Sequence, residues 1–357
     1  MDEFETLIGT IRSQAPELCN KYDLDEYLER KVNRSPIYFA CKRGHVEIVK
    51  LLIDQRCDIQ VFGGKKKRHP IHMGCSEGHA DIVKMLIDEN CDIETCDKDG
   101  KRPIHLACEN GHVEIAKILI DLNCDIEASA GKKSRRPIHF ACFGGHVEIV
   151  EVLISKNCNI EAEDEESWRP IHLACQIGNL LIVTLLLDNN CEIESRTNDN
   201  MCPIHYACLN GNVEIVELLI RHNCDIEAFG GKWKRRPIHL ACENGHTEIV
   251  KFLINLHCDI EAINDNAWRP IHFGCWKGHL DIVKVFVEQN CDIEACDHMK
   301  RRPIHLACEK GHTEIVKVLI DHHCDISACG GRFNQSPIYL AHKKNFTELI
   351  QLLTVHE

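Results

Sequence analysis

Apolar residues along the chain fall into two short helical stretches that return at a fixed interval. The first reads Pro-Ile-His-Leu-Ala-Cys, as at Pro103 to Cys108; the second, Val113 to Leu119, is apolar at 3.6-residue spacing. Between them stands Gly111, which suits the left-handed stop of a helix, with counterparts at Gly44, Gly78, Gly145, Gly178, Gly211, Gly245, Gly278 and Gly311. Pro opens the first stretch, where its missing N–H costs nothing. An early acid in the second (Glu47, Asp81, Glu114, Glu148, Glu214, Glu248, Asp281, Glu314) suits a helix N-terminus. Asn-Cys-Asp-Ile then closes the second helix and leads into a polar turn. Each unit therefore predicts a helix, a second helix and a projecting hairpin. The stretch Arg102 to His112 returns unchanged at Arg236 to His246 and with one substitution at Arg302 to His312. Its prolines, Pro36, Pro70, Pro103, Pro137, Pro170, Pro203, Pro237, Pro270, Pro303 and Pro337, stand 33 or 34 residues apart. A period in this range predicts a stacked repeat array.

The period changes what the length means. A globular chain of 357 residues would suggest two or three domains. Here each unit is too small to bury its own core, and stacking supplies a continuous one. The repeats run over 35–68, 69–101, 102–135, 136–168, 169–201, 202–235, 236–268, 269–301, 302–335 and 336–357. Residues 1–34 lie outside the period. Phe4, Leu7, Ile8 and Ile11, then Tyr27 and Leu28, carry helical spacing around a break at Pro16, so this segment is expected to be a helical cap over the array end. Lys343, Lys344, Glu348 and Gln351 make the last repeat a polar cap, and with Met1 at the start the array reads as complete.

Charge and cysteine narrow the class. A net charge of −13 weighs against generic nucleic-acid binding. No segment has the order of a signal peptide, and no apolar run approaches the ~18 residues of a membrane span, which predicts a cytoplasmic protein, with the nucleus as the other compartment. The 23 cysteines fall mostly in two columns. One is Cys41, Cys75, Cys108, Cys142, Cys175, Cys208, Cys242, Cys275 and Cys308; the other is Cys57, Cys91, Cys124, Cys158, Cys191, Cys224, Cys258, Cys291 and Cys324. Equivalent residues of stacked helices stand roughly 10 Å apart, beyond the ~7 Å between Cα atoms that a disulfide spans. They read as small buried thiols in a reducing compartment.

This grammar resembles the ankyrin repeat family over most of the chain: Arg-Pro-Ile-His-Leu-Ala-Cys, Gly-His-Val-Glu-Ile and Asn-Cys-Asp-Ile-Glu stand where the family has Thr-Pro-Leu-His, Gly-His and Gly-Ala-Asp-Val-Asn. The style is also similar to the large ankyrin families of single-celled eukaryotes and large DNA viruses. The resemblance implies an all-α solenoid of helix pairs with projecting β-hairpin turns and a concave binding face. It assigns the repeated histidine (His72, His105, His139, His172, His205, His239, His272, His305) to hydrogen bonds within and between repeats. Two departures from the family pattern matter. The family's Thr is Arg at 102, 136, 169, 236, 269 and 302, and its later Asn is usually Glu, at 94, 127, 161, 194, 227, 261 and 294. Both flank the same hairpin, which predicts a Glu–Arg ladder bracing the hairpin bases; Cys202 breaks it opposite Glu194.

Candidate chemistry is sparse. His-x-x-Cys shares a helix face and could hold a metal, but identical occurrences in register read as a structural column, and His322, His323 and Cys324 end a helix like every other copy. Ser129 to Ser134 lacks the glycine spacing of a phosphate loop. No catalytic activity, metal or cofactor is expected. Four turns are one residue longer and mostly basic, with Lys65, Lys66 and Lys67, then Lys132 and Lys133, then Lys232 and Lys234, then Arg332 at their tips. They read either as solvated hairpin tips or as a comb of cations for an acidic polymer or a phosphoinositide surface, interrupted by an acidic tip at Asp164, Glu165 and Glu166. The sharper signal is aromatic. All four tryptophans, Trp168, Trp233, Trp268 and Trp276, occupy positions that by resemblance vary and face the groove, and Phe143, Ile177, Leu209 and Met201 fall at similar positions. Trp concentrated on one face predicts a hot spot for a protein partner, one that a Trp268 and Trp276 double truncation would remove from a folded array. The leading expectation is a non-enzymatic scaffold or adaptor for another protein.

Overall fold

A computed structural model of the protein describes residues 35–356, together with Gly9 and Ser13; apart from those two residues, the cap expected over 1–34 lies outside it. The helices come in pairs: α1 (Pro36–Arg43) and α2 (Val46–Asp54), α3 (Pro70–Glu77) and α4 (Ala80–Asp88), α5 (Pro103–Asn110) and α6 (Val113–Asp121), α7 (Pro137–Gly144) and α8 (Val147–Ser155), α9 (Pro170–Ile177) and α10 (Leu180–Asp188). The same order continues through α11 (Pro203–Asn210) and α12 (Val213–Arg221), α13 (Pro237–Asn244) and α14 (Thr247–Asn255), α15 (Pro270–Lys277) and α16 (Leu280–Glu288), α17 (Pro303–Lys310) and α18 (Thr313–Asp321), α19 (Pro337–Lys344) and α20 (Thr347–His356). Two compact units divide the chain, Met1–Leu173 and Ala174–Glu357. Within the first, α1, α3, α5 and α7 pack in succession, as do α2, α4, α6 and α8; within the second, α11, α13, α15, α17 and α19 form one row and α10 through α20 the other. None of the helices among the described residues is long and apolar enough to cross a membrane.

Each first helix begins where the chain leaves an extended residue and meets Pro. Arg102 has φ −86° and ψ 165°, and Pro103 supplies the preset helical φ of the first turn. Gly111 then stops the helix at φ 79°. The glycine has a second cause: a Cβ there would stand 2.5 Å from the ring of His146 in the next repeat. That ring's Nε2 donates back to the carbonyl of Glu109, at 3.1 Å. Where a repeat holds it, Gly-His is thus a device that docks that repeat onto the one before it.

The other histidine column ties the helix to its hairpin. His105 Nδ1 accepts the backbone N–H of Arg102 at 3.0 Å, and its Nε2 donates to the carbonyl of Ala128 at 2.9 Å. His239 repeats the pattern with Arg236 and Ala262, both at 3.0 Å, and His272 with Arg269 and Ala295. Both ring nitrogens are spent on backbone groups that burial would otherwise leave unpaired. This is the role that the resemblance implied, and it accounts for the neutral imidazole directly. The cysteines of both columns form no disulfide, and all are buried except the half-buried Cys57. Burial pushes Cys124, Cys158 and Cys291 up to about 12 and Cys108 still higher, so they carry no reactive thiolate.

The Glu–Arg ladder forms in each hairpin that holds both residues: Glu94 with Arg102, Glu127 with Arg136, Glu161 with Arg169, Glu227 with Arg236, Glu261 with Arg269 and Glu294 with Arg302. It also runs between repeats. The second oxygen of Glu94 accepts the N–H of Asp125 at 2.8 Å, and that of Glu227 accepts the N–H of Asp259 at 2.7 Å. Arg102 and Arg236 return the favour to the carboxylates of Asp125 and Asp259, at 2.9 and 3.0 Å. Each Asp also caps its own turn, as Asp125 accepts the N–H of Glu127 at 3.0 Å. The Asp and the Glu of Asp-Ile-Glu thus each have a stated role. An exposed pair contributes only about 0–1 kcal/mol; here one carboxylate satisfies a guanidinium and a backbone N–H at once.

Candidate functional site

The hairpins come in two kinds, which differ at one buried position. In the longer turns this position is small, and Gly63, Ala130, Gly230 and Gly330 each close a single antiparallel bridge, to Arg68, Arg135, Arg235 and Gln335. In four of the shorter ones it is an acid or amide, Asp97, Asp164, Asn264 or Asp297, buried and folded back on its own turn. One oxygen of Asp97 accepts the N–H groups of Asp99 and Lys101, both at 2.9 Å. Its other oxygen takes Arg68 Nε of the preceding hairpin at 3.0 Å; Asp164 and Arg135 do the same at 3.0 Å. Asp164 is accordingly a buried hinge of its turn, not part of an acidic tip. Backbone bonds join neighbouring tips as well, from Lys98 N to Lys66 O at 2.7 Å and from Gly331 N to Met299 O at 2.8 Å.

One hairpin lacks its partner. Arg235 occupies the position of Arg68 and Arg135, but the residue facing it is Asn264, whose carbonyl oxygen accepts Asn266 and Trp268 N–H. That leaves an amide N–H₂ where Asp97 and Asp164 present a carboxylate oxygen, and Arg235 Nε is buried with no acceptor. Asn264→Asp should therefore stabilise the chain by about 1 kcal/mol, since a hydrogen bond to a charged group replaces an unmet donor. Thermal unfolding followed by circular dichroism tests this; a variant that melts at or below the wild-type temperature refutes it.

Most of the basic tips are not free cations. Lys66 lies 3.6 Å from Asp99, Lys133 2.7 Å from Glu166 and Lys234 3.4 Å from Asp265, each acid being on the next hairpin. Lys67 and Lys232 rest over the rings of Phe62 and Trp233, at 5.8 and 5.0 Å. Lys65 and Lys132 are exposed and make no ion pair among the described residues. Basic and acidic tips thus answer one another along the stack.

The variable surface is a row of matched pairs eight residues apart, the last hairpin residue with the last turn of the following helix. Lys101 pairs with Glu109 at 2.6 Å, Arg301 with Glu309 at 3.5 Å, and Arg235 with Glu243. Arg135 instead stacks on Phe143 at 5.4 Å. Trp268 meets Trp276 edge to face, with ring centroids 5.9 Å apart; the same two positions hold Met201 and Leu209, both half-buried. Glu109 is therefore held in this row by Lys101. Of the candidate anchors, Phe143 (49% exposed) and Trp168 lie in the first unit. Ile177, Leu209, Trp233, Trp268 and Trp276 lie in the second.

The second unit concentrates the row. Trp268 packs on Phe273 at 4.9 Å, with Arg301 over its outer face at 5.7 Å. Lys310 sits 3.7 Å from the centre of the Trp276 ring, and Lys277 reaches Glu243 at 3.8 Å. The tryptophans differ in what they have already spent. Trp268 Nε1 donates to Asp297 at 3.1 Å, replacing the arginine that serves this position in other repeats. Trp276 and Trp233 have indole N–H groups without an acceptor among the described residues. Trp233 makes no ring contact with the other two there. Sequence reasoning missed Arg301, Lys310, Arg235 and Glu243 as companions of the aromatics; the eight-residue separation was the available signal. Among the described residues no three His, Cys, Asp or Glu side chains converge as a metal site.

Comparison with known proteins agrees with this architecture. The family model described as ankyrin repeats matches residues 9–97, 71–164, 158–230, 228–297 and 289–357. A crystal structure of the human ASB11 ankyrin repeat domain superposes with a TM-score of 0.57 at 22% identity, covering 62% of this chain and 98% of that one. No curated protein sequence matches significantly. With the family model spanning nearly its whole length, the chain belongs to the ankyrin repeat family.

Proposed function

We propose that the chain is a non-enzymatic scaffold that binds another protein through its hairpin ends and the adjoining turns of the first helices, with Trp276 as the central anchor. Ankyrin repeats are generally protein-interaction modules. The observation that carries the assignment is the state of Trp276: half-buried, placed at a variable position, flanked by Trp268 and Lys310, and with an unspent N–H. A large rigid ring with an open donor, beside a cation, is what a partner's buried hot spot docks on. Ile177, Leu209 and Trp233, in the same unit, are further contacts. Binding of acidic polymers or phosphoinositides by the basic tips is the weaker reading, because Lys66, Lys133 and Lys234 are already answered by neighbouring acids. The buried free thiols suit a reducing compartment, the cytoplasm.

Trp276→Ala should weaken partner binding by about 2 kcal/mol or more, roughly 30-fold, without lowering the melting temperature. Trp268→Ala acts differently: it strips Asp297 of an interhairpin donor and lowers stability as well. Quantitative affinity capture from source-cell lysate, with Trp276→Ala beside the wild type, is the check. A folded Trp276→Ala chain that retains the same partners at the same occupancy would sink the assignment.

A further inference from the structure

Beyond the aromatic row, the charge pattern of the hairpins changes. A cleft opens between the hairpin after α16, the hairpin after α18 and the helix α19, lined by Arg301, Glu309, Arg332, Phe333, Lys343 and Lys344 among others. Four of these carry positive charge and one negative, in a chain whose net charge is −13. Arg301 is committed to Asp297 and Glu309. Arg332, Lys343 and Lys344 are exposed and form no ion pair among the described residues. That sets them apart from Lys66, Lys133 and Lys234, each matched by an acid on the next hairpin. The cleft also offers apolar surface: Phe333 is 70% exposed, with the Arg332 guanidinium 5.7 Å from its ring centre, and Leu340 forms part of the wall.

We infer that this cleft binds an acidic peptide segment of the partner, in which Asp or Glu side chains flank a bulky apolar one. The carboxylates take the place that the next tip's acid fills elsewhere in the array, and the apolar side chain covers Phe333. Arg301 joins the cleft to the aromatic row, since it lines the one and lies over Trp268 in the other. A segment seated on Trp276 therefore runs into the cleft, and to that extent the inference rests on the protein-binding reading above. A nucleic acid fits less well. Glu309 stands inside the cleft, and a polyphosphate continuing past it meets an acidic chain with no cationic track.

The test is selection of random displayed peptides on the full chain, followed by binding measurements on the selected sequences. They should be enriched in Asp and Glu beside an aromatic or aliphatic residue. Lys343→Gln with Lys344→Gln, both at exposed positions, should weaken those peptides about tenfold or more while leaving the melting curve in place. Selected peptides without acidic enrichment that still depend on Trp276 would overturn the cleft and leave the protein-binding reading intact. Acidic peptides that need Lys343 and Lys344 but ignore Trp276→Ala would support the cleft and remove the anchor. A single-stranded oligonucleotide that competes for the same lysines as tightly as the peptides would overturn the inference in favour of a phosphate polymer.

Discussion

Acidification from pH 7 to pH 5 should strongly destabilise the array. The buried histidine column is responsible. Burial holds His72, His105, His205, His239 and His272 down at about 4, against 6.5 for a free imidazole, and lowers His139 and His305 as well. Neighbouring cations, such as Arg102 and Lys101 beside His105, push the same way, while Asp97 beside His72 opposes. Geometry reinforces burial, because Nδ1 of each ring accepts a backbone N–H and has no room for a proton of its own. Between pH 6.5 and 4 the unfolded chain takes up protons that the folded chain refuses, so stability is complete above 6.5 and falls as pH drops toward 4. By pH 5 the cost is roughly 2 kcal/mol for each imidazole held at about 4. Five such groups sum to roughly 10 kcal/mol, a substantial share of what holds an array of this length together. Urea unfolding at pH 7, 6 and 5 should show a steep fall in midpoint across that range. A midpoint unchanged from pH 7 to pH 5 would falsify the account.

The repeat grammar that carries this column is legible because its causes are local. Pro103 and Gly111 bound their helix by their own backbone preferences, and the alternation of apolar residues in Val113 to Leu119 fixes which face is buried. The Glu–Arg ladder is legible for another reason: where Arg102 or Arg236 is present, Glu94 or Glu227 stands eight or nine residues before it, and where His69 or Ser336 replaces the Arg, the Glu is gone too. What the sequence hides depends on stacking. Asp97 and Asp164 look like exposed loop acids, yet both are buried, because the arginine that pays for their burial lies 29 residues earlier, on the preceding hairpin. The lysine tips look free for the same reason, since Asp99, Glu166 and Asp265 are close only once the repeats are stacked. Trp268 reads as an unneeded aromatic until its N–H is seen to replace the guanidinium of that position. The candidate surface was thus visible as a set of variable positions, while the division of those residues between framework and open contact was not.

Phe286→Ala should be the most damaging single truncation. Phe286 has no exposed surface and stands in α16 where other repeats hold a leucine, among them Leu52, Leu86, Leu119 and Leu319. Deleting a buried phenyl ring costs about 3–5 kcal/mol, part of it transfer free energy and part the cavity left behind. In this array the position sits between α14 and α18, the helices that flank α16. Repeats hold together through nearest-neighbour interfaces, so a loss at one interior layer weakens the coupling of the layers on either side. The variant's urea transition should therefore shift to lower concentration and also become shallower, because less surface unfolds in one cooperative step. Phe286→Leu separates the two contributions: leucine fits the same column elsewhere, so that variant should keep the wild-type slope and lose only the smaller volume difference. Should Phe286→Ala cost less than about 1 kcal/mol with an unchanged slope, the layer would not be packed as described, and the one-dimensional coupling drawn from it would fall with it.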